Sequence, residues 1–229
     1  MTLIHILGTD GAGKTTLARR LAEQAYAGRR PTYFYCQHRP LLLWLLKLPA
    51  RLLFMRRTDQ FANYGEYKAR KDAVGSKRPW LKRVYACVGY LDVALQTWPK
   101  LLWARWRADV VLLDRYYLDW VVNAGVLQRN SLDAMLRDAR ILERFLPRAD
   151  LHIFLNVSEM TAFARKNDIQ SVDYLRERKE RYLHIASHYN FHIVDANRDA
   201  ESVFQQVRAL VENALKSTGN LAHSGPTLA

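Results

Sequence analysis

The chain has 229 residues, of which 35 are Lys or Arg and 22 are Asp or Glu, so its formal net charge is +13. With 49% hydrophobic residues, ten Gly and seven Pro, it does not belong to the disordered, collagen-like or low-complexity classes. Two cysteines, Cys36 and Cys87, are too few for a disulfide framework and lack the spacing of a metal site. The N-terminus lacks the basic region of a signal peptide. We therefore expect a cytoplasmic protein with one domain over 1–216 and a disordered tail over 217–229.

Short apolar runs alternate with helical patterns along the chain, which is typical of an α/β protein. The runs have the character of strands buried on both faces, and the predicted strands are Leu3–Leu7, Thr32–Cys36, Val110–Leu113, Leu151–Asn156 and Phe191–Val194. Helical spacing of apolar residues predicts helices at Lys14–Ala27, Tyr85–Leu101, Ser131–Phe145, Ser171–His188 and Ala200–Leu215. The pattern predicts a five-stranded parallel sheet with helices on both faces.

The positive charge is concentrated between Lys47 and Arg107, where fourteen basic residues stand against four acidic ones. Tryptophans interleave with them at Trp44, Trp80, Trp98, Trp103 and Trp106. Such a segment can lie on an anionic membrane surface, stack on nucleic-acid bases, or form a solvated basic face beside a dimer interface. We favour a solvated basic face over an ordinary core with a homodimer interface, place peripheral contact with an anionic membrane second, and rank nucleic acid last. Residues 56–80, which are polar, basic and Gly-containing, are predicted to form a mobile segment.

A phosphate-binding pattern follows the first predicted strand. Gly8-Thr9-Asp10-Gly11-Ala12-Gly13-Lys14-Thr15 fits G-x-x-x-x-G-K-[ST]. Its glycines let backbone N–H groups turn toward phosphate oxygens, and a helix that begins at Lys14 directs its positive dipole end at the same anion. Lys14 can reach the β- and γ-phosphates, and Thr15 can offer a hydroxyl to Mg²⁺. We therefore predict ATP and Mg²⁺ as cofactors, bound by Gly8, Gly11, Ala12, Gly13, Lys14, Thr15 and Thr16.

Asp10 is unusual in such a loop because donor phosphates repel a carboxylate. It can accept from the hydroxyl of an acceptor molecule, contact the shell of the metal, or only form the turn that Asp favours.

This loop, followed by Asp114-Arg115-Tyr116 at the end of the third predicted strand, resembles the thymidylate kinase family. The run from His192 to Val211 is similar to the last strand and helix of that family. The resemblance implies a P-loop NTPase fold with three α/β/α layers, like that of nucleoside monophosphate kinases. It also implies an ATP-dependent kinase with a lid over 165–180, and it places the mobile segment 56–80 on the acceptor side.

The resemblance also implies roles for single residues. Asp114 would lie near Mg²⁺ and the acceptor, and Arg115 would bind the acceptor phosphate or the transferred phosphoryl group. Arg165 would reach the ATP phosphates or the adenine, and Asn197 would lie near the adenine.

In this family either the phosphate loop or the lid supplies a cation to the transition state. Gly11 occupies the loop position where an Arg can stand, so the resemblance implies a cation from the lid. The candidates are Arg165, Arg176 and Arg178.

The acceptor side departs from the family. Where thymidylate kinases carry Arg-Glu-Pro-Gly-Gly, this chain has Gln37-His38-Arg39-Pro40. We therefore expect a divergent branch, defined by His-Arg-Pro and Asp-Arg-Tyr-Tyr, whose acceptor is another nucleotide or a hydroxyl of sugar or glycan type. A true thymidylate or nucleoside monophosphate kinase is the first alternative. A non-catalytic nucleotide-binding or membrane-associated regulatory protein is the second.

The two acceptor classes call for different residues. A phosphate acceptor needs no base and would be clamped by Arg39 and Arg115, whereas a hydroxyl acceptor needs a carboxylate to take its proton. The candidates for that carboxylate are Asp10, Asp114 and Asp119.

Three further residues are predicted to bind the acceptor, and each has a structural alternative. His38 is either a contact of the acceptor or a packed or capping residue. Asp92 either faces the acceptor or pairs with a nearby Arg. Tyr116 either lines the acceptor site or belongs to the core.

Overall fold

The computed structural model of the protein describes residues 1–42, 79–166 and 171–223. The strands are β1 Thr2–Gly8, β2 Pro31–Tyr35, β3 Val110–Asp114, β4 Leu151–Asn156 and β5 His192–Asp195. The helices bounded within these ranges are α1 Lys14–Ala22, α2 Pro79–Arg107, α3 Tyr117–Gln128, α4 Leu132–Leu142, α5 Glu159–Ala164, α6 Val172–Tyr189 and α7 Ala200–His223.

The strands form one parallel sheet in the order β2-β3-β1-β4-β5, which confirms the predicted fold class. Every residue of β1 and β3 is buried, because helices cover both faces of the middle of the sheet. The edge strands β2 and β5 are more exposed. Parallel strands bring their carboxyl ends to one edge, and the register pairs Ile6 of β1 with Asp114 of β3. The phosphate loop therefore begins beside the end of β3.

Two of the predicted helices begin where the sequence placed them, since each has a serine cap. The side chain of Ser131 accepts from the backbone amide of Ala134, and Ser171 accepts from that of Tyr174. Helix α1 ends at Ala22, five residues before its predicted end, and the chain then turns through a bridge between Tyr26 and Arg29. Helices α3 and α5 were not predicted.

The described chain divides into two compact units. The first unit is Met1–Gln37 with Trp98–Ala229, and the second unit is His38–Thr97, so the boundary falls within α2. Residues 56–78 of the predicted mobile segment and 167–170 of the predicted lid lie outside the described residues. Of the predicted tail, 217–223 continue helix α7, and 224–229 also lie outside the described residues.

None of the helices in the described ranges offers an apolar stretch long enough to cross a membrane.

Candidate active site

The phosphate loop connects β1 to α1 in the first unit. Gly11 and Gly13 both have a φ of 83°, a left-handed conformation that glycine adopts at little cost. The Lys14 ammonium group is buried and donates to the carbonyls of Gly8 (2.9 Å) and Thr9 (2.7 Å). Of the remaining predicted loop residues, Ala12 is buried and Thr16 is exposed in the first turn of α1. The loop thus brings its cation and its backbone amides to the start of α1.

Thr15 and Asp114 meet at the end of β3. The Thr15 hydroxyl donates to Oδ2 of Asp114 at 2.6 Å, and the Tyr33 hydroxyl donates to the same oxygen at 3.2 Å. Oδ1 of Asp114 is buried and has no hydrogen-bond partner within the described part of the chain. A free carboxylate oxygen beside a threonine hydroxyl fits Mg²⁺, which binds few protein groups directly and keeps waters and substrate phosphates.

The rest of the described chain is consistent with that kind of site. Its residues include no group of three His, Cys, Asp or Glu side chains that could hold a metal ion. Mg²⁺ at Thr15 and Asp114 would therefore depend on ligands from the nucleotide.

Asp10 is held by two arginines that are distant in sequence. It accepts from Nη2 of Arg115 at 2.5 Å and from Nη1 of Arg178 at 3.3 Å. Burial alone would raise the pKa of Asp10, but the positive charges of Lys14, Arg115 and Arg178 outweigh it and lower the pKa to about 2. Asp10 is therefore an ionised group that orients cations around the loop.

Arg115 has a backbone conformation that few residues other than glycine adopt. Its φ is 65°, which is in the left-handed region. A residue other than glycine in this conformation costs about 1–3 kcal/mol of backbone strain, and such residues are often found at functional sites. Burial would lower the pKa of its guanidinium, but the charges of Asp10 and Asp119 raise it. The turn after β3 directs this permanent cation toward the phosphate loop.

Gly11 has no space for a side chain. A Cβ atom at this position would lie 2.4 Å from the carbonyl oxygen of Ala162, in α5. An arginine at position 11 is therefore incompatible with this arrangement of α5.

The three predicted lid cations have different surroundings. Arg178 reaches Asp10 and is only 12% exposed at its side chain. Arg176, at 58%, pairs with Asp173 on the outside of α6. Arg165 donates from Nη1 to the carbonyl of Ala196 at 3.2 Å. Arg178 alone of these three contacts the phosphate loop.

Asn197 lies next to the contact of Arg165. Its Oδ1 accepts from the backbone amide of Ser158 at 2.8 Å, and its Nδ2 donates to Asp195 at 2.7 Å. The end of β5 and the start of α5 are thereby tied together, where the resemblance implies the adenine.

His38, Arg39 and Asp92 are brought together in the second unit. Nε2 of His38 lies 2.9 Å from Oγ1 of Thr97, and the backbone of Arg39 exchanges two hydrogen bonds with the side chain of Gln96. The buried carboxylate of Asp92 accepts from the backbone amide of Leu42 and from the side-chain amide of Gln96. These contacts hold the segment after β2 against α2.

Tyr116 and Asp119 are enclosed in the first unit. The Tyr116 ring is fully buried, and its hydroxyl donates to the carbonyl of Pro147 at 2.9 Å, which favours its alternative as a core residue. Asp119 is 1% exposed and contacts His5 and Tyr182.

Sequence reasoning did not find Tyr33, His5 or Tyr182. Tyrosines in an edge strand or in an amphipathic helix carry no signal that separates them from core residues. His5 did carry one, since it is a titratable side chain in an otherwise apolar strand, three residues before the phosphate loop.

Known proteins resemble this chain over most of its length, although no family model matches it. It is 32% identical over 220 residues to the thymidylate kinase of Xanthomonas euvesicatoria pv. vesicatoria, covering 93% of this chain and 84% of the relative. It is also 32% identical, over 222 residues and with the same coverage, to the thymidylate kinase of Xanthomonas campestris pv. campestris. The probable thymidylate kinase 1 of Saccharolobus solfataricus is 25% identical over 226 residues, covering 93% of this chain and 98% of the relative. The identity extends well beyond the phosphate loop, and the chain therefore belongs to the thymidylate kinase family of ATP-dependent phosphotransferases.

Proposed function

We propose that this chain transfers the γ-phosphoryl group of ATP to the phosphate of a nucleoside monophosphate, with Mg²⁺ bound beside Thr15 and Asp114. One observation carries the proposal: Asp10 is held by Arg115 and Arg178 and has a pKa of about 2. Of the acceptor classes that the sequence left open, this favours a phosphate over a hydroxyl.

A hydroxyl acceptor needs a group that takes its proton, and the three carboxylates are poorly suited to that task. Asp10 is a weak base because of its low pKa. Both oxygens of Asp119 are engaged by His5 and Tyr182. Asp114 accepts from Thr15 and Tyr33 and lies at the proposed metal position. A phosphate acceptor is largely ionised at neutral pH, so its oxygen attacks without losing a proton.

In the proposed reaction, the bond between the γ-phosphorus and the bridging oxygen of ADP breaks. A bond forms from that phosphorus to an oxygen of the acceptor phosphate, with no proton transferred. Thr15 and Asp114 would hold Mg²⁺, which would supply positive charge to neutralise the phosphates. Lys14 and Arg178 donate to oxygens of the migrating group, while Arg115, oriented by Asp10, binds the acceptor phosphate.

Thymidine monophosphate is the first acceptor to test, because the relatives at 32% identity are named thymidylate kinases. The segment Gln37-His38-Arg39-Pro40, which departs from the family pattern, favours an acceptor other than thymidine monophosphate. A panel of candidate acceptors distinguishes these two possibilities. ADP release from Mg·ATP is measured with nucleoside monophosphates, with nucleosides and with free sugars. We expect turnover with at least one monophosphate at about 1–100 s⁻¹, and none above background with the hydroxyl acceptors.

Two outcomes of the panel would contradict the proposal. Turnover of a nucleoside or a sugar without turnover of any monophosphate would establish a hydroxyl acceptor. If the chain binds ATP but no acceptor in the panel gives ADP release, the non-catalytic alternative would be favoured.

We also propose that the chain forms a homodimer through an exposed apolar face of α2. Trp98, Leu102 and Trp106 follow one another at intervals of four residues and are 42%, 50% and 82% exposed. Side chains at this spacing lie on one side of a helix, and an exposed apolar stripe favours contact with another apolar surface. A second copy presents the same stripe, as two-fold symmetry requires.

Leu102→Glu is expected to convert the dimer to a monomer in sedimentation velocity, because it places a charge in the interface. Leu132→Glu is the matched control, since Leu132 is an exposed leucine at the start of α4 and should leave the dimer intact. A monomeric wild-type chain that binds vesicles of anionic lipid, and not neutral vesicles, would contradict the dimer and support the membrane alternative.

A further inference from the structure

A buried carboxylate connects the helix that carries Arg178 to the central strand of the sheet. Asp119, on α3, accepts from the Tyr182 hydroxyl at 2.7 Å through Oδ1, and its Oδ2 lies 2.8 Å from Nε2 of His5. Tyr182 belongs to α6 and His5 to β1, and all three side chains are buried. We call this set of contacts the His5–Asp119–Tyr182 bridge.

The bridge lies on the same face of α6 as Arg178. Residues four apart on a helix are neighbours on its surface, so Tyr174, Arg178 and Tyr182 form one row. The Arg178 guanidinium lies 4.3 Å from the centre of the Tyr174 ring, and its Nη1 reaches Asp10. The tyrosine that anchors α6 in the core therefore lies one turn from the arginine that contacts the phosphate loop.

The Arg178 guanidinium has hydrogen-bonding capacity to spare. Its Nε is buried and has no hydrogen-bond partner among the described residues. A buried donor without a partner is costly unless another group supplies an acceptor, and a phosphoryl oxygen is such a group. Because hydrogen bonding is directional, that contact depends on where α6 is held.

The polar character of the bridge is not explained by stability. A buried ionic group is often no more stabilising than apolar side chains of similar volume, because its desolvation offsets its attraction. Burial would raise the pKa of Asp119, but its hydrogen-bonding contact with His5 and the charges of His5, Lys14 and Arg115 lower it. What a hydrogen-bonded carboxylate adds over an apolar core is a fixed direction and distance between the elements it joins.

We propose that the His5–Asp119–Tyr182 bridge positions Arg178 for phosphoryl transfer by fixing the placement of α6 against β1. This inference rests on the proposed role of Arg178 in the transition state. Tyr182, Asp119 and His5 are positioning residues in this account, and they act through α6 rather than on the nucleotide. Misplacement of a catalytic group by about 1 Å can reduce a rate about 100-fold.

The experiment compares two Tyr→Phe variants that each remove one buried hydroxyl from a carboxylate. Tyr182→Phe removes the donor to Asp119, and Tyr117→Phe removes the donor to Glu143, at 3.1 Å. We expect Tyr182→Phe to lower kcat by about 10- to 100-fold with a KM for ATP within about twofold of wild type. Tyr117→Phe should retain the wild-type kcat even if it lowers Tm by as much as Tyr182→Phe does. Equal kcat values for the two variants would overturn the proposal.

A double variant tests whether the loss passes through Arg178. If Tyr182 acts by positioning Arg178, Tyr182→Phe combined with Arg178→Ala should have the kcat of Arg178→Ala alone. Losses that multiply would overturn the proposal, because they would show that the two residues act independently. A normal kcat for Arg178→Ala would refute the role of Arg178 itself, and the inference with it. A normal kcat for Tyr182→Phe alone would refute only the bridge.

Discussion

Arg178→Ala is expected to lower kcat about 1,000-fold, because an arginine that stabilises the charge of a transferring phosphoryl group contributes about 10³–10⁵ in rate. Its guanidinium is largely buried, contacts Asp10 at 3.3 Å and keeps Nε free of partners within the described residues. The KM for ATP should change by less than about fivefold, since the charge that Arg178 offers is needed most in the transition state. Steady-state kinetics with the acceptor identified by the panel would measure both.

Arg176→Ala is the matched control for this prediction. Arg176 lies two residues earlier on α6, is 58% exposed and pairs with Asp173. An ion pair with this much solvent exposure contributes little to the free energy of unfolding. The variant should therefore keep the wild-type kcat. The assignment to Arg178 would be wrong if Arg178→Ala kept the wild-type kcat, or if Arg165→Ala or Arg176→Ala caused the large loss instead.

The middle of the sheet was predictable because its physical cause is local. Strands covered on both faces are mainly apolar, so β1, β3 and β4 appear in the sequence as apolar runs, interrupted by His5 in β1 and His152 in β4. Helix α3 was missed for a related reason. It is buried around most of its circumference, with Tyr117, Leu118, Val121, Val122 and Gly125 all inside, and therefore lacks the polar face that reveals a helical period. Helix α5 has only six residues, too few for a period to show.

The phosphate loop was predictable because eight adjacent residues determine it. The partners of Asp10 were not, since Arg115 and Arg178 are 105 and 168 residues away. Nothing in the local sequence selects these two among 35 basic residues. The sequence allowed Asp10 to be a base, a group of the metal shell or a turn residue. The fold places it between two guanidinium groups, and this placement supports our proposal of a phosphate among the acceptors that the sequence left open.

Most of the positive charge between Lys47 and Arg107 falls within 43–78, which lie outside the described residues. Around the phosphate loop, the described cations are few and individually placed. Lys14, Arg115 and Arg178 act on one carboxylate and converge on the start of α1. The net charge of the chain is therefore a separate property from the chemistry of the loop.

Lys14→Met is expected to lower kcat/KM for ATP about 1,000-fold, because it removes the buried ammonium group that faces the phosphates.

The pH profile of the wild-type chain should also show an alkaline limb, which is a fall in kcat/KM for ATP at high pH. Burial and the charge of Arg115 lower the pKa of Lys14 to about 8, although Asp119, Asp10 and Asp114 oppose them. The protonated form is the one that binds phosphate, so kcat/KM for ATP should fall as the pH rises above about 8. The kcat of the nucleotide complex should fall only at higher pH, because bound phosphates favour the charged lysine.

Lys14→Arg separates the titration of Lys14 from that of other groups. A guanidinium stays protonated beyond pH 12, so this variant should lose the alkaline limb even though its different shape lowers the absolute rate. Isothermal titration of a non-hydrolysable ATP analogue from pH 7 to 9.5 would detect the same change as a loss of affinity in the wild type alone. A flat wild-type profile over this range, or a limb that persists in Lys14→Arg, would contradict the assignment. If the limb follows Lys14, the burial that places its ammonium against the carbonyls of Gly8 and Thr9 also sets the upper pH limit of ATP capture.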